Sequence, residues 1–336
     1  MEIKVWLPQS RPYGGTGLYR LRMPHEILDD NVTFTESINY NDLLCDILVV
    51  SKAYFTSIMP VLDRLKKAGV KMVIDFDDYW IVPQDHLLYP QYRKFNTTNI
   101  LIQALRDFDY VITTTDLLYN EIRRINKNVV ILENAINPAL IQFEPKPSES
   151  DKIRFGWIGG HCHLPDIKLL EGVPEQLNHI SQNWNINLFG HDGQPGGLYD
   201  QFAYILSSNL KTKDKLNVFR AASSDTYTQF YNLIDVCLIP LVDNKFNSMK
   251  SELKLVEAAF FKKAVVCSDV MPYKQWLTDK NSIRCGKRDW FKCMKKLIDN
   301  PNMVKDLGEQ LYLDLNERFN LWNVNKRRSE YDRSIL

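Results

Sequence analysis

Short apolar runs separated by amphipathic stretches recur along the whole 336-residue chain, and no other feature constrains its fold as much. In the front half the runs fall at 3–7, 32–35, 46–50, 70–75, 109–113 and 129–132. Strands buried on both faces look like this, because neither face needs polar residues. Helix-compatible stretches lie between them at 17–29, 54–68, 97–107 and 115–125. Strands alternating with helices predict an α/β fold with a doubly wound, Rossmann-like parallel sheet.

The pattern pauses at 143–152, where Pro145 and Pro147 resist helix and central strand alike among Ser and charged residues. It then restarts. Strands are expected at 153–158, 185–190, 216–219, 235–239 and 264–267, and helices at 164–182, 225–233, 251–262 and 288–299. A Gly-rich loop covers 190–197, and 301–333 reads as charged helix. The expectation is therefore two Rossmann-like domains, 1–145 and 153–310. A C-terminal segment 311–336, with Trp322, is expected to pack back on the first. Ligands of such sheets bind at the carboxyl ends of the strands, which here would face each other across a cleft.

Charge narrows the partners. The net charge is +1, so the chain lacks a uniformly basic coat for nucleic acid. Through Ser150 there are 16 Lys+Arg against 19 Asp+Glu, and beyond it 26 against 22, a mild bias of anionic ligands toward the back half. The six cysteines form no C-x-x-C pair and read as thiols of a reducing compartment. Cys162 between His161 and His163 lacks further ligands at zinc spacing, so no metal is expected. The start of the chain reads as a strand rather than a signal peptide, and no apolar run approaches the roughly 18–20 residues that span a bilayer. A cytoplasmic protein without membrane insertion is expected.

Four constellations carry candidate chemistry. Tyr13-Gly14-Gly15-Thr16-Gly17-Leu18-Tyr19-Arg20 follows the first strand. Gly15 and Gly17 let backbone N–H groups approach an anion at a helix start, and Arg20 adds a cation. A plain strand-to-helix turn would also use glycine. Asp75-Phe76-Asp77-Asp78 crowds three carboxylates at a strand end. Asp77 and Asp78 are candidates for metal binding, general-base work or sugar hydroxyl contacts; capping and pairing with a Lys or Arg is the structural alternative. Gly159-Gly160-His161 opens the back half as a second loop able to meet a diphosphate. Finally, Asn247 through Glu257 places a helix start near Ser251. Its free N–H groups and Lys250 suit a phosphate, and Glu257 one to two turns on suits two ribose hydroxyls. A surface Lys254–Glu257 ion pair is the bland alternative.

The run from Lys250 to Ala259, followed by Lys263-Ala264-Val265-Val266-Cys267-Ser268, resembles the donor-binding helix and strand of nucleotide-sugar glycosyltransferases of the GT-B fold, in particular the large retaining family four. Val236 to Leu241 and Asn134-Ala135-Ile136 are similar to that family too. Gly15 to Arg20 and Asp75 to Asp78 look like a branch found in bacteria and their viruses. The resemblance implies that Glu257 holds the donor ribose and that N–H groups near Ser251, Glu252 and Leu253 hold the diphosphate. Arg220 and Lys250 are the candidates for the cationic pair at the diphosphate. One departure stands out: the family's E-x7-E pattern wants an acid where Met249 stands, and Asn247, Lys250 or Glu252 would have to compensate.

The function expected is transfer of a sugar from a nucleoside diphosphate donor, UDP-sugar favoured, to an acceptor hydroxyl with retention. No permanently bound cofactor is expected, and charge stabilisation by Lys250, Arg220 and the helix start would serve the leaving diphosphate. The acceptor is either a glycan or small molecule, or a hydroxymethylated base in phage DNA, the latter prompted by the viral likeness of the front-half motifs, with the near-neutral charge against it and Lys66-Lys67, Arg123-Arg124 and Lys326-Arg327-Arg328 in its favour. Two other classes compete. A nicotinamide oxidoreductase lacks its G-x-G-x-x-G here. A non-catalytic sugar-nucleotide-binding protein is suggested by Met249.

Overall fold

A computed structural model describes residues 1–8, 14–28, 31–148 and 150–336. Among the described residues twelve strands form two six-stranded, wholly parallel sheets. The front sheet holds β1 (Glu2–Trp6), β2 (Asn31–Thr35), β3 (Ile47–Ser51), β4 (Lys71–Asp75), β5 (Tyr110–Thr113) and β6 (Val129–Ile131) in the order β2-β1-β3-β4-β5-β6. The back sheet holds β7 (Ile153–Ile158), β8 (Trp184–His191), β9 (Leu216–Arg220), β10 (Val236–Ile239), β11 (Ala264–Ser268) and β12 (Ile283–Cys285) in the order β12-β11-β10-β7-β8-β9. The order reverses beside β1 in one sheet and beside β7 in the other, so each has a switch point at which its first strand opens a crevice.

Burial follows the strand patterns. β3, β10 and β11 are buried at every residue, whereas the edge strands β2 and β9 show mixed exposure. The α-helices of seven residues or more among the described residues are α1 (Thr97–Asp107), α2 (Asp116–Ile122), α3 (Leu198–Leu206), α4 (Leu253–Phe260), α5 (Trp290–Asp299), α6 (Asn302–Leu315) and α7 (Leu321–Ser334).

Several expected helices are broken or change type. The stretch 54–68 becomes two 3-10 turns and the helix Leu62–Lys67, with Pro60 interrupting the ladder. The stretch 164–182 is split at Gly172, whose φ of +75° is left-handed, and resumes at Val173–Asn178 with Pro174 in its first turn. The stretch 225–233 is 3-10 over Tyr227–Leu233. Helix 17–29 starts as a π-helical turn, Gly17–Arg22, and continues as Met23–Glu26.

The C-terminal stretch is two helices. α6 lies on the back domain, so close that a Cβ on Gly308 would overlap the Lys262 carbonyl oxygen. α7 lies on the front domain. Ile136 exchanges backbone hydrogen bonds with Phe319 and Leu321 at 2.9 and 2.8 Å, and the Asn325 amide donates to the Pro24 carbonyl at 2.6 Å. The buried Glu133 carboxylate takes Arg318 at 2.7 Å and Arg327. Leu321 and Val324 are buried in this contact; Trp322, expected there, is 56% exposed. Cys285 and Cys293, read as thiols from the sequence, lie side by side with Cα atoms 6.4 Å apart. Among the described residues no helix is long and apolar enough to cross a membrane.

Candidate functional site

The carboxyl ends of the two sheets face each other across a cleft containing two cavities of about 360 and 370 Å³. Both are lined by Gly15 from the front domain and by Leu253 and Lys254 from the back, so they adjoin at the start of α4. The first reaches into the front domain to Thr16, Asp77, Asp78 and His86. The second reaches into the back domain to Gly159, Gly160, Phe189, Tyr227, Phe230 and Glu257.

Glu257 sits one turn into α4, and three tyrosines surround its carboxylate. Tyr19 donates to Oε1 at 2.6 Å, Tyr227 also donates to Oε1, and Tyr231 donates to Oε2 at 2.9 Å. Burial raises the Glu257 pKa, and the three hydroxyls oppose that rise by favouring the charged form. Tyr19 comes from the front domain, so this is a hydrogen bond across the cleft. It arises because the π-helical turn places Tyr19 and Arg20 inward together.

Lys254, outside the site expected from the sequence, lies at the junction of the two cavities. Its ammonium stands 4.8 Å from the Trp157 ring centroid, and a Cβ on Gly159 would come within 2.7 Å of it. Glycine at 159 is what lets this lysine approach the loop. Burial first, then neighbouring Lys250, lowers the Lys254 pKa to about 8. The signal in the sequence was its spacing: Lys250 and Lys254 are i, i+4 at a helix start.

The Gly159 loop is fixed by the back sheet. Tyr199 donates to the Gly159 carbonyl at 2.6 Å. Gly190, with φ +104°, makes room for that tyrosine, since a Cβ there would stand 2.7 Å from its hydroxyl oxygen. Stacked Phe189 and Phe230, with centroids 4.6 Å apart, supply a flat apolar wall beside it.

The acidic run divides. Asp75 is fully buried and holds Arg20 in a bidentate pair, Nε to Oδ1 and Nη2 to Oδ2, both at 2.9 Å. Arg20 also donates to the Leu132 carbonyl at 2.8 Å and to Asn134 Oδ1 at 3.2 Å. Arg20 lines the first cavity but is braced there by Asp75, so its charge is already paired where a free cation was expected for a phosphate. Asp77 and Asp78 do face the first cavity, and both pair with Lys52, at 3.0 and 2.9 Å. Thr16 donates to Asp77 at 2.8 Å. Burial pushes the Asp77 carboxyl up, but Lys52 and Thr16 outweigh it and hold the pKa below its ordinary value. Lys52, on the loop after β3, carried no motif in the sequence.

Other expected residues fall at different depths. Gly15, Gly159, Gly160, Lys250, Ser251 and Leu253 line the cleft; Tyr13 lies outside the described residues. Ser251 accepts from the Asn134 amide at 2.7 Å rather than capping α4, whose N-cap is Glu252. Gly17 is buried within its helical turn. His161 turns into a separate cavity beside Lys168 and Lys287. Arg220 is exposed at the end of β9, while Ala221 and Ala222 line the cleft in its place. Asn247 points inward, its amide donating to the Val242 carbonyl at 2.8 Å. The Glu252 side chain is buried under α4, where desolvation raises its pKa to about 8. Met249 is 6% exposed and packs in the front-domain core. Among the described residues no cluster of metal-binding side chains occurs.

Two Rossmann-like domains with a cleft between the carboxyl ends of their sheets are the GT-B arrangement. The same fold is found in Anabaena HepE, solved with UDP and glucose, which superposes with a TM-score of 0.71 over 99% of this chain and 100% of its own at 11% identity. A glycosyltransferase from Rickettsia africae ESF-5 gives 0.69 over 99% and 98% at 12% identity. Sucrose-phosphate synthase from Thermosynechococcus elongatus gives 0.64 over 86% and 73% at 13% identity. No protein-family model and no curated protein sequence matches the chain.

Proposed function

We propose that this chain is a glycosyltransferase that takes a sugar from a nucleoside diphosphate donor, UDP-sugar by preference, and moves it to an acceptor hydroxyl with retention. The observation that carries the reading is the placement of Glu257 and Lys254 on one helix start, between a glycine loop from each domain. In this reading the base lies by Phe189 and Phe230, and the ribose hydroxyls take over the Glu257 carboxylate from tyrosine. The diphosphate rests at the start of α4 with Lys250 and Lys254, whose charge stabilises it as it leaves. The sugar then lies in the first cavity toward Asp77 and Asp78. UDP bound to HepE, which shares the fold, supports the donor class.

The two aspartates share Lys52 as their counter-ion, and their proposed role is hydroxyl contacts and positioning. Part of the basic surface that would favour a DNA acceptor is engaged elsewhere: Lys66 pairs with Asp109, Arg124 with Glu121 and Arg327 with Glu133, and Arg328 is 1% exposed, while Lys67, Arg123 and Lys326 are exposed. With a net charge of only +1, the acceptor proposed is a glycan or small molecule. The front and back domains are proposed to part at 146–152, with α7 belonging to the front domain.

The test is thermal unfolding with a panel of nucleotide sugars. A donor at a hundred times its Kd adds about 2.7 kcal/mol of stability. UDP-sugars are expected to raise the midpoint of the wild type and not of Glu257→Ala; no shift from any nucleotide sugar would refute the reading.

A further inference from the structure

His163 and Asp166 form a dyad at the edge of the first cavity that no step above uses. His163 closes the 3-10 turn His161–His163, and its ring packs edge-on against Trp157 with centroids 5.8 Å apart. Its Nδ1 lies 2.7 Å from Asp166 Oδ2. The Asp166 side chain is 4% exposed, and its other oxygen accepts from the Val242 N–H at 2.7 Å. A carboxylate held this way keeps the proton of a neutral imidazole on Nδ1, leaving Nε2 as a lone pair. His163 lines the cavity together with Lys250, Ser251 and Lys254.

We propose that His163 is a proton-accepting ligand of the donor diphosphate: it is neutral in the empty cleft, takes one proton from solvent on Nε2 when the donor binds, and donates it as a hydrogen bond to a phosphate oxygen. The inference rests on the donor reading above and adds a proton to it.

The electrostatics run one way in each state. In the empty cleft burial and the cations Lys254 and Lys250 lower the His163 pKa to about 3, against the pull of Asp166. A diphosphate beside the same lysines cancels their field and adds negative charge of its own, which favours imidazolium. The other charged or titratable groups facing this cavity are Asp77 and Asp78, joined to Lys52, Arg20, joined to Asp75, His86, Cys162 and the phenols Tyr19, Tyr92 and Tyr273. The donor's negative charge raises the acids too, but Lys52 and Thr16 hold the Asp77 carboxyl below its ordinary value, far from pH 6.5, and His86 is a competing proton acceptor of the same type. Lys254 titrates near 8 and separates from His163 by pH.

The probe is UDP-glucose, whose diphosphate has no ionisation near neutrality. Calorimetric titration of the full chain at pH 6.5, in two buffers of different ionisation enthalpy, counts the protons taken up. An imidazole restored to its ordinary midpoint takes up about half a proton there, and tightens Kd by about threefold from pH 7 to pH 6. His163→Asn and His163→Gln are expected to bind without that uptake, and His86→Asn is expected to retain it. At pH 8.5 the His163 variants still show uptake, now from Lys254. At pH 6.5, binding by the wild type without proton uptake, or uptake that survives in both His163 variants, overturns the proposal while leaving the donor site standing. No UDP-glucose binding by the wild type overturns the donor reading and the proposal with it.

Discussion

Three tyrosine hydroxyls direct their hydrogen bonds to the carboxylate of Glu257, and this makes the residue structural and ligand-binding at once. Removing the acid leaves those hydroxyls without their acceptor, at about 1–3 kcal/mol for an unmet buried group. Glu257→Ala is thus expected to lower the unfolding midpoint as well as abolish donor binding, whereas Tyr19→Phe, which frees one lone pair, keeps donor binding. Thermal melts with and without UDP-glucose separate the two effects. Lys254 gives a pH signature. Its folded value of about 8 lies below its ordinary one, so the unfolded chain holds more protons between the two values and stability rises with pH across that window. Donor affinity moves the other way, weakening above pH 8 as the empty-cleft lysine loses its charge. Lys254→Met is expected to lose that alkaline limb in titrations from pH 7 to 9.5. Glu257 and Lys250 were readable as a helix-start pair; Lys52, Tyr227, Tyr231 and His163 were not, because what makes them functional is the partner that tertiary packing brings to them. Arg20 shows the converse. A cation beside glycines suggests a phosphate, but only the fold reveals that Asp75 already claims it.

At the scale of elements, buried strands were the most legible part of the chain, because a short, continuous apolar run bounded by polar turns suits little besides a strand covered on both faces. β12 escaped notice since three residues are too few to show a period. Helix lengths were overestimated where Pro60 or Gly172 broke a run that kept its hydrophobic spacing. The bidentate Arg20–Asp75 pair ties the first helical turn to the end of β4. Removing one partner strands a buried charge, so Arg20→Ala is expected to cost about 3–5 kcal/mol in denaturant unfolding. Gly308 sets how closely α6 sits on the segment before β11. Gly308→Ala is expected to cost roughly 1–3 kcal/mol through overpacking, with little effect on donor affinity if α6 shifts as a unit.

For the whole molecule, the chain crosses between domains twice, once at 146–152 and once between α6 and α7. The return crossing was legible only as a charged helical tail; its registry depends on Glu133, Ile136 and Pro24, which no pattern in the tail announces. Closure is written in the Tyr19–Glu257 bond, which spans the cleft at the point where the ribose is proposed to lie. The structure of the complex with UDP tests this most directly. The ribose hydroxyls are expected within about 3 Å of the Glu257 carboxylate, and the diphosphate at the start of α4 beside Lys254. UDP bound elsewhere, with Glu257 still enclosed by Tyr19, Tyr227 and Tyr231, would contradict that placement.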